Sequence, residues 1–238
     1  MESFVNSNGV SIWTTRNGTA GIPVLLCNGG PGCCDYLGPV ANLIDDVAQV
    51  IRFEQRGCGR SDSVPPYDIE TCLFDLETVR KHYGIEQWIV GGHSWGADLA
   101  LIYALEHPTS FTGLMCISGG RMHNDREWHN EYVRRKEAEG ERSPEFKYPV
   151  NHEVNRQVNQ SWKQYIQKPD LLRRISELEI PALFVYGDKD IRPSWPIEQL
   201  ARLMPNARFE MLRGAEHVLW FSHENELRHL LRGFLQQQ

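Results

Sequence analysis

Gly91-Gly92-His93-Ser94-Trp95-Gly96 is the stretch on which the reading of this chain turns. Just before it, Gln87-Trp88-Ile89-Val90 is a short apolar run bounded by turn residues and reads as a buried strand. Just after it, Ala97 to Leu105 is made of good helix formers that run to a stop at Pro108. Gly92-x-Ser94-x-Gly96 between such a strand and helix fits a sharp turn that pushes a serine hydroxyl out of a sheet. Bulky side chains two residues to either side would clash in a backbone that tight. The helix starting there aims free N–H groups and the positive end of its dipole at any negative charge that develops nearby. Gly96, Ala100 and Ala104 recur at i, i+4, i+8, a smooth stripe that lets the helix lie close against a sheet. The pattern alone is common in ordinary turns. Its setting makes Ser94 a candidate nucleophile.

Outward from this turn, strands and helices alternate. Residues 4 to 15 hold two short strand-like pieces around Asn8-Gly9, a hairpin signal. Pro23 to Cys27 reads as a central strand that delivers the chain to Asn28-Gly29-Gly30-Pro31-Gly32, a loop where backbone can approach a ligand closely. Val50 to Glu54 is the next strand, and Glu70 to His82 a helix closed by Gly84. Gly113 to Ile117, Ala182 to Tyr186 and Arg208 to Leu212 are further strands; Pro196 to Met204 and Glu224 to Leu235 are helices. This alternation indicates a mostly parallel sheet of about eight strands covered on both faces.

The alternation breaks between residues 121 and 178, where no strand is legible. These residues are read as a helical cap inserted into a core domain made of 1–120 and 179–238. Arg121 to Lys147 carries seven basic and seven acidic residues and reads as a solvated face. Trp128 and Tyr132 at i, i+4, and Trp162 on the stripe Val154, Val158, Trp162, Ile166, are candidates to line a substrate site. They serve equally well to seat the helices on the domain beneath. The apolar stripe is the cap's clearest inward face and predicts an apolar roof over Ser94.

Bulk properties narrow the function. With 238 residues and a net charge of −6, the chain suits one core and argues against a general nucleic-acid binder. No run of apolar residues is long enough to span a bilayer, and residues 1–4 show no basic or apolar leader, so a cytoplasmic protein is expected. Six cysteines without a C-x-x-C pair are read as reduced, mostly buried thiols. Gly30-x-Gly32 after a strand, with Glu54 ending the next, imitates a dinucleotide fingerprint, but Asp35 stands where the third glycine belongs. No nucleotide cofactor and no metal are expected.

Together, Asn28-Gly29-Gly30-Pro31-Gly32, Glu54-Gln55-Arg56-Gly57-Cys58-Gly59-Arg60-Ser61 and Gly91-Gly92-His93-Ser94-Trp95-Gly96 resemble the α/β-hydrolase fold, and within it the proline iminopeptidases. The chain differs from that family in having Asn28 for the usual His, Glu54 for the usual Asp, Asp98 for a small hydroxyl residue, and a shorter cap. The resemblance implies the chain order Ser, acid, His. His217, in a turn after the strand at 208–212, is then the expected base, while His93 should point away from Ser94. Asp188 and Asp190 compete as the acid. Asp188 reads as a turn former after Gly187, and the family's G-x-x-D spacing lands on Asp190. The N–H groups of Gly30 and Trp95 are the expected oxyanion hole; Pro31 has none to give. The expected function is a serine hydrolase of a small ester or amide, with a small-molecule or short-peptide substrate. The rivals are an iminopeptidase releasing N-terminal proline, in which the resemblance implies cap acids gripping the substrate amine, and a triad-bearing ligand receptor with little turnover.

Overall fold

The computed structural model describes residues 1–238. Strands β1 (Glu2–Ser7) and β2 (Val10–Asn17) form a hairpin whose turn places Asn8 and Gly9 at positive φ, 52° and 85°. β3 (Ile22–Cys27), a short helix α1 (Gly38–Ala41), β4 (Ala48–Phe53) and α2 (Ile69–His82) follow. Next come β5 (Trp88–His93), α3 (Trp95–Glu106) and β6 (Phe111–Ile117). Three helices then run without a strand: α4 (Arg126–Glu139), α5 (His152–Tyr165) and α6 (Leu171–Ser176). The chain closes with β7 (Ala182–Gly187), α7 (Trp195–Leu203), β8 (Ala207–Leu212) and α8 (Glu224–Leu235).

The eight strands form one sheet in the order β1-β2-β4-β3-β5-β6-β7-β8. β1, β2 and β4 pair antiparallel, and every other pairing is parallel. β5 lies in the middle, buried along its whole length, as its continuous apolar run requires of a strand covered on both faces. One face carries α2, α3 and α7, with Leu76, Leu99 and Ile197 in its core; the other carries α1 and α8, with Val40 and Leu231. In α3 every residue from Trp95 to Leu105 is buried, so this helix is sealed in rather than amphipathic. Side chains fix the helix starts: Asp68 accepts from Thr71 N–H, Asp125 from Trp128 N–H, and Asn151 from Glu153 and Val154 N–H.

The segment 54–61 braces the loops beside the site. Buried Glu54 accepts from Arg60 Nη2 at 2.8 Å and from Asp35 N–H at 3.1 Å, while the Arg60 guanidinium lies 3.2 Å over the Trp13 ring. Asp35 in turn pairs with Arg52. Glu54, which imitates a nucleotide motif, and Asp35, which breaks it, thus both hold the fold's own arginines. Arg56 meets Asp75 through two bonds of 2.7 and 2.6 Å in the interior, a pair whose rupture typically costs about 3–5 kcal/mol. All six cysteines are free and buried.

Candidate active site

The turn from β5 into α3 is held by contacts that leave no room for side chains. Ser94 sits at φ 55°, ψ −125°, and its N–H donates to Ile117 O at 2.9 Å. A Cβ on Gly92 would overlap the Gly96 carbonyl, one on Gly96 the Cys27 carbonyl, and one on Gly119 the Ser94 carbonyl. A non-glycine residue at positive φ costs on the order of 1–3 kcal/mol, and it persists here because the surrounding backbone over-determines it. The glycine-rich loop closes in from the other side. A Cβ on Gly29 would stand 2.7 Å from Ser94 Cβ, and Gly30 takes φ 67°. Gly30 and Trp95 both line the cavity at Ser94. Trp95 opens α3, so its N–H has no intrahelical acceptor and is available to a ligand.

His217 Nδ1 lies 2.6 Å from Asp190 Oδ2 in a buried pair. Asp188, the competing acid, accepts instead from Gly214 N–H and serves its turn. Burial alone would raise the Asp190 carboxyl; the imidazole charge and hydrogen bond of His217, with Arg192, outweigh it and hold the carboxyl below its ordinary range. The His217 carbonyl is 3.1 Å from His93 Nε2, which brings residue 217 alongside the neighbour of Ser94. The His93 ring points away from the cavity, with Nδ1 2.7 Å from the Tyr36 hydroxyl, and burial followed by the charge of His217 pushes its pKa far down. A neutral His93 therefore donates from Nε2 and accepts at Nδ1, where Tyr36, itself accepting from Gly29 N–H at 2.8 Å, supplies the proton. One network ties the His217 backbone to the glycine-rich loop. The structure does not pair Ser94 Oγ with His217, and residue 217 lines a neighbouring cleft of about 410 Å³ beside the C-terminal end of α4. Catalytic hydrogen bonds are often formed only with substrate in place.

The cavity at Ser94 measures about 360 Å³. Trp128 and Tyr132 line it, stacked at 5.5 Å, and Trp128 Nε1–H donates to Pro193 O at 2.9 Å, tying α4 to the loop that carries Asp190. Trp162 stands one layer back, buried against the Arg121 guanidinium. The expected apolar roof is not there. Val154 and Val158 are buried in the core shared with α2, and Ser161 Oγ accepts from Ile69 N–H, so the stripe seats α5 on α2. The residues that α5 turns to the cavity are Asn155 and Asn159. Asn155 also donates to Pro31 O at 2.8 Å and braces the glycine-rich loop. Arg121, Arg192 and Asp98, not named as site residues from the sequence, line the cavity too. Asp98 is its one carboxylate. Burial raises its pKa to about 6, against the lowering pull of Arg121 and of the Gly120 and Arg121 N–H groups. No cap acid lines the cavity; Glu131 and Glu153 pair with arginines of their own helices. A larger groove of about 910 Å³ between α2 and α5 shares no lining residue with the cavity at Ser94. No group of three or more His, Cys, Asp or Glu side chains is placed to hold a metal ion, and no helix is long and apolar enough to cross a membrane.

A family model for the alpha/beta hydrolase fold matches residues 22–148, 127 of the 238 residues. The chain belongs to this family. The match takes in the glycine-rich loop, the Ser94 turn and the whole of α4. Within this α/β-hydrolase family the chain is 36% identical over 112 residues to the proline iminopeptidase of Neisseria gonorrhoeae, covering 43% of this chain and 34% of that protein. It is 40% identical over 101 residues to the proline iminopeptidase of Saccharolobus solfataricus, covering 40% and 33%. The matched stretch thus spans about a third of these relatives. Among solved structures, a thermophilic esterase from Thermogutta terrifontis superimposes with a TM-score of 0.80 at 21% identity, over 100% of this chain and 98% of that one. The proline iminopeptidase of Mycobacterium smegmatis gives 0.75 at 19% identity, over 100% and 98%. At such identities these two likenesses establish the fold.

Proposed function

We propose that this α/β hydrolase is a serine hydrolase that cleaves a small ester or amide through an acyl-enzyme. The observation that carries this reading is the buried His217–Asp190 pair, held by His93 beside a positive-φ serine that opens a helix. In this reading Ser94 Oγ attacks the carbonyl carbon while His217 Nε2 takes its proton. The Gly30 and Trp95 N–H groups hold the oxyanion. The imidazolium returns the proton to the leaving group, and water, activated by the same ring, then releases the acid. Asp190 fixes the tautomer with the proton on Nδ1 and stabilises the imidazolium. Ser94→Ala should abolish p-nitrophenyl ester hydrolysis and labelling by a fluorophosphonate probe while the protein stays folded. Full labelling of the variant would place the nucleophile elsewhere.

The identity to iminopeptidases over about two fifths of the chain favours a second reading, release of N-terminal proline. A buried ammonium needs a paired carboxylate, and Asp98 is the one that faces the cavity. Acetylating the amine of a proline ester separates the readings. A loss of a hundredfold or more, about 2.7 kcal/mol, would mark an amine site, whereas an amine-indifferent esterase takes both forms.

A further inference from the structure

Two guanidinium groups border the cavity at Ser94, and their surroundings differ. Arg192 is matched: Nη1 is 2.6 Å from Glu141 Oε1 and 3.3 Å from Asp190 Oδ1. Arg121 is not. Its backbone N–H donates to Asp98 Oδ1 at 2.6 Å, but its side chain forms no ion pair, and its Nε is buried without an acceptor. The guanidinium lies against two indoles, 4.7 Å from the Trp128 ring and 4.5 Å from the Trp162 ring, and these cation–π contacts restrict where it can move. Asp98 Oδ1 already accepts from Gly120 and Arg121 N–H, so the one nearby carboxylate offsets the charge without occupying the fork. Buried Tyr186 lines the same cavity and offers a further hydroxyl donor. A half-buried guanidinium that borders the cavity without an ion-pair partner is placed to receive a planar anion through two parallel hydrogen bonds.

We propose that Arg121 anchors a carboxylate of the substrate, so that Ser94 acts on an anionic ester or amide such as a half-ester of a short dicarboxylic acid. This rests on the serine-hydrolase reading and names its substrate class. The carboxylate belongs to the acyl half or to the leaving half; either is met by the same fork.

Turnover of p-nitrophenyl hemisuccinate is compared with that of its methyl-capped neutral analogue, and turnover of the acetate ester of 4-hydroxybenzoic acid with that of its methyl benzoate analogue. The wild-type protein should prefer the anionic member of at least one pair by about tenfold or more in kcat/KM. Arg121→Gln should bring that ratio close to one, and Arg121→Lys should keep part of it, since it retains the charge and loses the fork. The ratio reads the guanidinium even where a variant yields less folded protein, because inactive protein cancels from it. Calorimetric binding of succinate to Ser94→Ala, lost in Ser94→Ala with Arg121→Gln, reads the anchor with no turnover at all. Neutral esters hydrolysed as well as anionic ones, with no binding of succinate, would overturn the anchor and leave the serine-hydrolase reading standing. No ester turned over and no probe labelling, with succinate still bound through Arg121, would overturn the hydrolase reading instead.

Discussion

The floor and the roof of the Ser94 cavity are made by different physics. The floor is backbone against backbone: Gly92, Gly96 and Gly119 each stand where a single added carbon would strike a carbonyl or its carbon. The roof is side chain against side chain, with α5 dry along Val154 and Val158 and polar one residue away at Asn155 and Asn159. Contacts of the first kind dictate residue identity and spacing, so they surface as a motif. Contacts of the second kind dictate only polarity, and many sequences satisfy them. A site assembled from both has a reaction written in its floor and a substrate written in its roof.

The largest effects should follow from changes to the floor. Asp190→Asn would leave the shape intact but stabilise the wrong tautomer of His217 and remove the countercharge of the imidazolium. A fall of roughly ten-thousandfold in kcat is expected, measured on any ester that the protein turns over. A loss under tenfold would move the acid elsewhere and blur the line between the two regions. Next comes Gly96→Ala, whose methyl group would enter the Cys27 carbonyl. Neither β3 nor α3 has space to retreat, both being buried. A loss on the order of 4 kcal/mol or failure to fold is expected, read from urea unfolding. A mild effect would show that the floor can relax like the roof.

Legibility from sequence follows the same division. The alternation of strands and helices and the Ser94 turn could be read because glycine, turn and strand signals are local; Asp190 and His217 were singled out through the family resemblance, and the structure brings their side chains together. Two short helices were not legible: α1 has four residues and α6 six, too few to show a period. The cap's polarity was legible and its orientation was not. Helix α5 is wedged between α2 and the cavity, and periodicity reports the dry face, which here rests on α2 rather than over Ser94. Arg121 escaped notice for a similar reason. It opens a run of fourteen charges between Arg121 and Lys147, and nothing in the sequence separates one guanidinium lying against Trp128 and Trp162 from its solvated neighbours.

Val154→Ala tests the roof directly. Val154 is 1% exposed, and removing two methyl groups from such a site costs about 2–3 kcal/mol. In a chain of this size the melting temperature should fall by roughly 4–10 °C. The preference between anionic and neutral esters should stay as it was, because the stripe faces α2. A changed preference without a lower melting temperature would show that the stripe reaches the substrate after all.

The smallest effect belongs to Asp98, where floor and roof meet. Burial raises its pKa to about 6, against the pull of Arg121. The folded state therefore favours the protonated acid more than the unfolded chain does. Its contribution to stability is fully present below about pH 4, the ordinary carboxylate range, and is lost as pH rises through about 6. Asp98→Asn keeps an acceptor for the Gly120 and Arg121 N–H groups but cannot ionise. The variant should match the wild type near pH 4 and exceed it by roughly 3 kcal/mol at pH 8, as read from urea unfolding at the two values. The same change removes the one carboxylate that offsets Arg121 in the cavity, so the preference for anionic esters should rise at neutral pH. A stability difference that does not change with pH would mean that Asp98 ionises as it does in water. A rise in stability without a rise in anion preference would mean that the charge at Asp98 is felt by the fold and not by the substrate, and that roof and floor act separately at the residue that joins them.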